Sequence, residues 1–177
     1  MVQWYNSTII FKDTHTEKEF NEETGAFKVR HKDHKRHEND EQRYFPERLT
    51  GDDLEDEFFE LAYKRGHGVV YRAEAENTTD LDMILDEVKM DLVSVTKNST
   101  TFRNQLQRKN EQLKKYNALY DESNNSVCMY FHDSSYYTFD KVKEGLNKLK
   151  EFEPDVIIKN VYVLLNDGSD IFKLSFE

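Results

Sequence analysis

Apolar residues fall in two rhythms along this chain, one of period two and one of period near 3.6. The first rules the ends. "WYNSTIIFKD" and then "EKEFNEETGAFKVRH" are short runs rich in aromatic and β-branched residues, with "ETG" between two of them. Such runs around a Gly-bearing turn predict antiparallel strands. The closing stretch "DVIIKNVYVLLNDGSDIFKLSFE" repeats the pattern, with Asp167-Gly168 as the turn and Phe172, Leu174 and Phe176 alternating on one side. "HGVVYRAEAE" and "SVCMYFH" read as further strands.

The helical rhythm marks three segments. In "TGDDLEDEFFELAYKRGHG", Thr50 or Asp52 can cap, acids crowd the first turn, Lys64 and Arg65 close the helix, and Gly66 suits the residue after its end. Leu54, Phe58, Leu61 and Ala62 share its apolar face. "TFDKVKEGLNKLKEF" is a shorter amphipathic helix that turns Phe139, Val142, Leu146 and Leu149 inward. Between these lies the longest pattern, residues 80–122. Leu81, Leu85, Val88, Leu92, Val95, Ser99, Phe102, Leu106, Lys109, Leu113, Tyr116 and Tyr120 follow one another at alternating spacings of four and three. This is a heptad seam, and a continuous helix of that length spans roughly 60 Å at about 1.5 Å per residue. A fold-back at "KNSTT" into a helical hairpin satisfies the same spacing.

The acids of 80–91 and the bases of 97–115 match if two copies of this segment lie antiparallel. The expected dimer seam is Leu81, Leu85, Val88, Leu92, Val95, Phe102, Leu106, Leu113 and Tyr116. The fold class expected is α+β: antiparallel β-hairpins at both ends of the chain, covering helices, and one long heptad-patterned helix or helical hairpin at about 80–122. All 177 residues are read as one domain. Its parts are a β-hairpin region with a His-rich loop at 1–48, an acidic helix and strand at 50–76, the long helix at 80–122, and a strand, helix and hairpin at 126–177.

Composition changes the picture in two respects. The chain is 37% hydrophobic and 34% charged, yet 13% aromatic, which points to a folded core beneath a very polar surface. Its net charge of −10 is unevenly distributed: residues 51–100 carry 13 acids against 5 bases, while the flanking segments are close to balance. An acidic face follows, and direct nucleic-acid binding is disfavoured. A single cysteine, Cys128, excludes an intrachain disulfide and a Cys-based zinc site. The opening "MVQWYNSTIIF" has neither a basic leader nor a long apolar run, so a cytoplasmic protein without membrane contact is expected.

Three sets of residues carry candidate chemistry. His31, His34 and His37 recur every third residue beside Asp33, Glu38 and Asp40, a ligand set that suits zinc, manganese or iron, although the interleaved Lys32, Lys35 and Arg36 repel a cation. His67 between two glycines, and His132 with Asp133 after a strand, are isolated acid/base candidates, and Cys128 reads as core. Asp53, Asp56, Glu57 and Glu60 recur at i, i+3, i+4 and i+7, placing like charges about 5–6 Å apart along one helix face. Their mutual repulsion means that helix stability alone does not select them. With Glu74 and Glu76 they form the expected partner-binding stripe.

These features lead to a non-enzymatic acidic inhibitor acting by protein–protein contact, with no cofactor. Low Pro and Ala usage and abundant Asn, Lys, Asp and Glu suggest an AT-rich genome, and with small size and acidity, a phage or mobile element. The expected partner is a host protein with a basic nucleic-acid-binding surface, so that the inhibitor is of anti-CRISPR or anti-restriction type. Two alternatives stand beside it: a metal-dependent nuclease or hydrolase built on the histidines, and a coiled-coil dimer scaffold.

Overall fold

The computed structural model describes residues 15–34, 51–72, 80–95 and 102–176. These residues form two compact units, the first from the residues up to 72 together with 82–88, the second from 80–81 and 89–176.

In the first unit the strands are β1 (His15–Phe20), β2 (Phe27–His31), β3 (Gly68–Tyr71) and β4 (Met83–Leu85), in that spatial order. β1 and β2 are the expected antiparallel pair, with Phe20 opposite Phe27. Asn21 folds the turn by accepting the backbone N–H groups of Glu23 and Thr24, and Gly25 supplies a φ of +76°. β2 then runs parallel to β3, and the helix α1 (Gly51–Lys64) lies on the connection between them. Phe27 faces Gly68 across that ladder so closely that a Cβ at position 68 would stand 2.2 Å from the Phe27 ring. β3 and β4 are antiparallel.

α1 buries Leu54, Phe58, Phe59 and Ala62, so Phe59 takes the inward place expected of Leu61. Its end is the one expected. Gly66 has φ +93°, its N–H reaches the Tyr63 carbonyl, and the His67 N–H reaches the Ala62 carbonyl. That pair of bonds is a Schellman closure.

The second unit contains β5 (Val88–Val95, from Lys89 onward), β6 (Ser126–Phe131), β7 (Asn160–Leu165) and β8 (Phe172–Lys173), again in spatial order. β5, β6 and β7 are parallel, and helices α2 (Phe102–Tyr120) and α3 (Phe139–Phe152) are their connections. Val93 and Val95, Val127, Met129 and Phe131, and Val161 and Val163 share one core with Phe102, Leu106, Leu113, Val142, Leu146 and Leu149. The strand residues are alternate ones, so both helices cover one sheet face. Gly145 lets the two helices meet, since a Cβ there would lie 2.9 Å from Phe102 Cβ. β6 is buried along its whole length, as a central parallel strand is. β7 and β8 form the expected closing hairpin, with Gly168 at φ +88°.

The architecture is therefore mixed α/β with three helices among the described residues, and two expectations are corrected. The hairpins β1–β2 and β7–β8 and the covering helices agree with the expectation, but β2–β3, β5–β6 and β6–β7 are parallel ladders spanned by helices, a strand layout that was not expected. The continuous helix over 80–122, and the helical hairpin offered in its place, are also corrected. Residues 83–85 and 88–95 are strands joined at Asp86 and Glu87, both at positive φ (45° and 73°), and only 102–120 is helical. Two consecutive left-handed residues make a tight hairpin turn and end any helix. The residues expected to form a dimer seam are therefore not carried on one helix. Leu81, Leu85, Leu92, Val95, Phe102, Leu106, Leu113 and Tyr116 are buried within their own chain, and Val88 is exposed. No described helix is long and apolar enough to cross a membrane.

Candidate protein-binding face

The acidic stripe of α1 meets a set of cations that its own periodicity does not disclose. Alternation along β2 directs Phe27 and Val29 to one side of the sheet and Lys28 and Arg30 to the other. Lys28 Nζ lies 2.7 Å from Glu60 Oε2 on α1 and 3.5 Å from Glu19 Oε1 on β1. Arg30 donates from Nη2 to Asp56 Oδ1 at 3.0 Å and from Nε to Glu17 Oε2 at 3.1 Å, and its guanidinium lies 3.9 Å from the Tyr71 ring centre. Each β2 cation thus stands between one acid of β1 and one acid of the helix.

The layering decides what faces outward. The side chains of Lys28 and Arg30 are 17% and 16% exposed, while Glu17, Glu19, Asp56 and Glu60 are 68%, 54%, 33% and 42% exposed. Two sunken cations hold four carboxylates at the surface, so the outer layer is anionic and its positions are fixed. Burial disfavours charge on Lys28 and Arg30, but Glu60 and Glu19 for the lysine, and Asp56 and Glu17 for the arginine, raise both pKa values above their ordinary range. Glu60 is held below its usual range, first by the hydrogen bond from Lys28. Tyr71 donates from its hydroxyl to Asp56 at 3.3 Å, and burial pushes its phenol far above the ordinary value.

His34 completes the network. Its side chain is 5% exposed, with Nδ1 2.8 Å from Arg30 Nη1 and Nε2 3.0 Å from Glu55 Oε1, and its ring meets Tyr71 edge to face.

The expected site residues are therefore dispersed among several roles. Asp56 and Glu60 are drawn into the ladder, and Asp53 and Glu57 lie half-buried on the same helix. Glu74, Glu76 and His37 lie outside the described residues. The described part of the histidine cluster is not assembled as a metal site. His31 Nδ1 accepts from the Asp33 backbone N–H at 3.1 Å while His34 turns to Arg30 and Glu55, and among the described residues no three His, Cys, Asp or Glu side chains gather as a metal requires. Glu17, Glu19, Lys28, Arg30 and Glu55 were missed. The signal for β1 and β2 was present, since "TEKEF" and "FKVRH" place opposite charges on facing alternate positions of two paired strands.

The isolated candidates have structural partners. His67 Nδ1 lies 2.6 Å from Asp86 Oδ2, whose other oxygen accepts the Gly68 N–H at 2.9 Å, tying the start of β3 to the turn after β4. Asp133 accepts the N–H and hydroxyl of Ser135, a bond pair that lowers its pKa. Cys128 is fully buried and its thiol is pushed well above the ordinary range, which removes it as a nucleophile.

No protein-family model matches the chain, and no curated protein matches it. Among solved structures, a chain of the CdiA-CT/CdiI toxin and immunity complex from Burkholderia pseudomallei is similar to it at 16% identity, with a TM-score of 0.41 over 68% of this chain and 80% of that one.

Proposed function

We propose that this protein is a non-enzymatic inhibitor that acts by protein–protein contact through the acidic face of its first unit. The observation that carries the reading is the layered ladder, in which Glu17, Glu19, Asp56 and Glu60 stand outward around the sunken Lys28 and Arg30. Fixed carboxylates lose little side-chain entropy when a partner docks, and their field steers a basic surface into contact. Asp53 and Glu57 extend the anionic face along α1. The matching partner is a protein whose basic surface ordinarily holds nucleic acid, such as a CRISPR effector or a restriction enzyme of a host attacked by a phage or mobile element.

The test is displacement of a labelled DNA duplex from such enzymes, held on their DNA without the divalent metal, followed by fluorescence anisotropy. The native protein displaces the duplex from its target. Glu17→Lys with Glu19→Lys weakens this by about tenfold or more, and raising salt weakens it further. Displacement by the charge-reversed protein at native concentrations refutes the assignment of this face.

A further inference from the structure

The hydrogen-bond chemistry at His34 fixes where its proton resides. A guanidinium can only donate, so Arg30 Nη1, 2.8 Å from Nδ1, requires a lone pair there. The imidazole is then neutral, with its single N–H on Nε2 donating to Glu55 Oε1 at 3.0 Å. We infer that His34 is a proton-operated switch in the acidic face: neutral, it fastens Arg30 to the segment following β2; protonated, it releases Arg30 and adds one positive charge beneath the carboxylates.

Every described element packed against the ring contributes to this balance. Arg30 faces the ring from β2, Glu55 from α1 and Tyr71 from β3, while Asp56 of α1 and Glu17 of β1 bind the same guanidinium. On the histidine's own turn, its backbone N–H bonds the His31 carbonyl at 3.0 Å, with Asp33 beside His31. A proton arriving at Nδ1 turns that atom into a donor facing a donor, and the Arg30 contact breaks. Nε2–H keeps Glu55, and Arg30 keeps Glu17 and Asp56, so the exchange is local and the fold persists. Its effect on partner binding rests on the function proposed above; the switch itself does not.

The experiment is NMR of the full chain labelled with 15N at histidine and arginine, titrated from pH 8 to pH 5, with His34→Gln used to assign the His34 signals. At pH 8 the His34 ring carries its proton on Nε2 with an unprotonated Nδ1. As the ring titrates, the Arg30 side-chain resonances move with the same midpoint, and that movement is absent in the Gln variant. A proton on Nδ1 at pH 8, or Arg30 resonances indifferent to the His34 titration, overturns the inference whether or not any partner binds.

Discussion

Arg30→Met is the substitution that tests the ladder most directly, because it keeps an apolar stem and deletes the guanidinium. Three contacts vanish: Asp56 at 3.0 Å, Glu17 at 3.1 Å and His34 Nδ1 at 2.8 Å. The bond to Asp56 is charge-assisted and partly screened from water, worth about 1.5–3 kcal/mol. The bond to Glu17, whose carboxylate is 68% exposed, contributes at most about 1 kcal/mol. Stacking over Tyr71 adds about 0.5–1 kcal/mol, part of which the methionine recovers. The expected loss is about 2–4 kcal/mol of stability in the first unit, or roughly a 1–2 M fall in the urea midpoint at a typical slope. Arg30→Lys keeps the charge without the fork and falls between native and Met. The assay is urea unfolding followed by hydrogen exchange of the β2 and β3 amides, which reports this unit by itself. A Met variant within about 0.5 kcal/mol of native refutes the claim that the cation organises the face.

Other outcomes follow from single contacts. Lys109→Met leaves the Asp91 carboxylate, fully buried with the lysine 3.0 Å away, without that charge, and unfolding measurements show a loss of about 3–5 kcal/mol. Leu106→Ala destabilises the second unit by about 2–5 kcal/mol with no change in oligomeric state by light scattering, whereas a coiled-coil seam there would show dissociation. Gly68→Ala forces the Phe27 ring aside and costs about 1–3 kcal/mol in thermal unfolding. Glu60→Gln removes a carboxyl whose pKa Lys28 depresses; such a group stabilises the fold above its ordinary pKa of about 4.3 and loses that contribution as pH falls through the lower folded value. Native and Gln variants therefore differ by under about 1 kcal/mol at pH 7, given the exposure of Glu60, and converge in acid unfolding once the pH lies below the folded value.

The described strands outside 80–122 and the two shorter helices were legible because they carry their own periods and clear stop signals, as Gly66 and Gly168 show. The region 80–122 was misread because two strands joined by a two-residue turn can imitate a heptad. The turn at Asp86-Glu87 supplies a spacing of three between Leu85 and Val88, and steps of four along a strand stay on one face. The discriminating residues were those off the seam. A helix leaves Met83, Met90 and Val93 toward water, and all three are buried. Parallel pairing was less visible, because no local signal says whether the strand after a helix returns beside the one before it.

The acidic stripe shows how a correct physical premise gave an incomplete conclusion. Like charges at i, i+3 and i+4 do repel along an isolated helix, and a helix read alone offers nothing to offset that. The offset comes from Lys28 and Arg30, separated from their acids by 32 and 26 residues of sequence and brought near only by the β2–α1–β3 connection. Part of the stripe is therefore explained by stability, and repulsion no longer requires a partner for Asp56 and Glu60. What stability leaves unexplained is the outer layer: Glu17 and Glu19 are the most exposed acids of the ladder, and each bonds a cation that already has a better-covered carboxylate on α1. Exposed pairs of that kind contribute little to folding. Adjacent positions thus separate two roles, since Arg30→Met strikes the fold and makes the face more acidic, while Glu17→Lys with Glu19→Lys costs the fold less and takes away the outermost acids. If binding follows the first variant's charge and is lost in the second, the carboxylates act on a partner; if it follows stability in both, they do not.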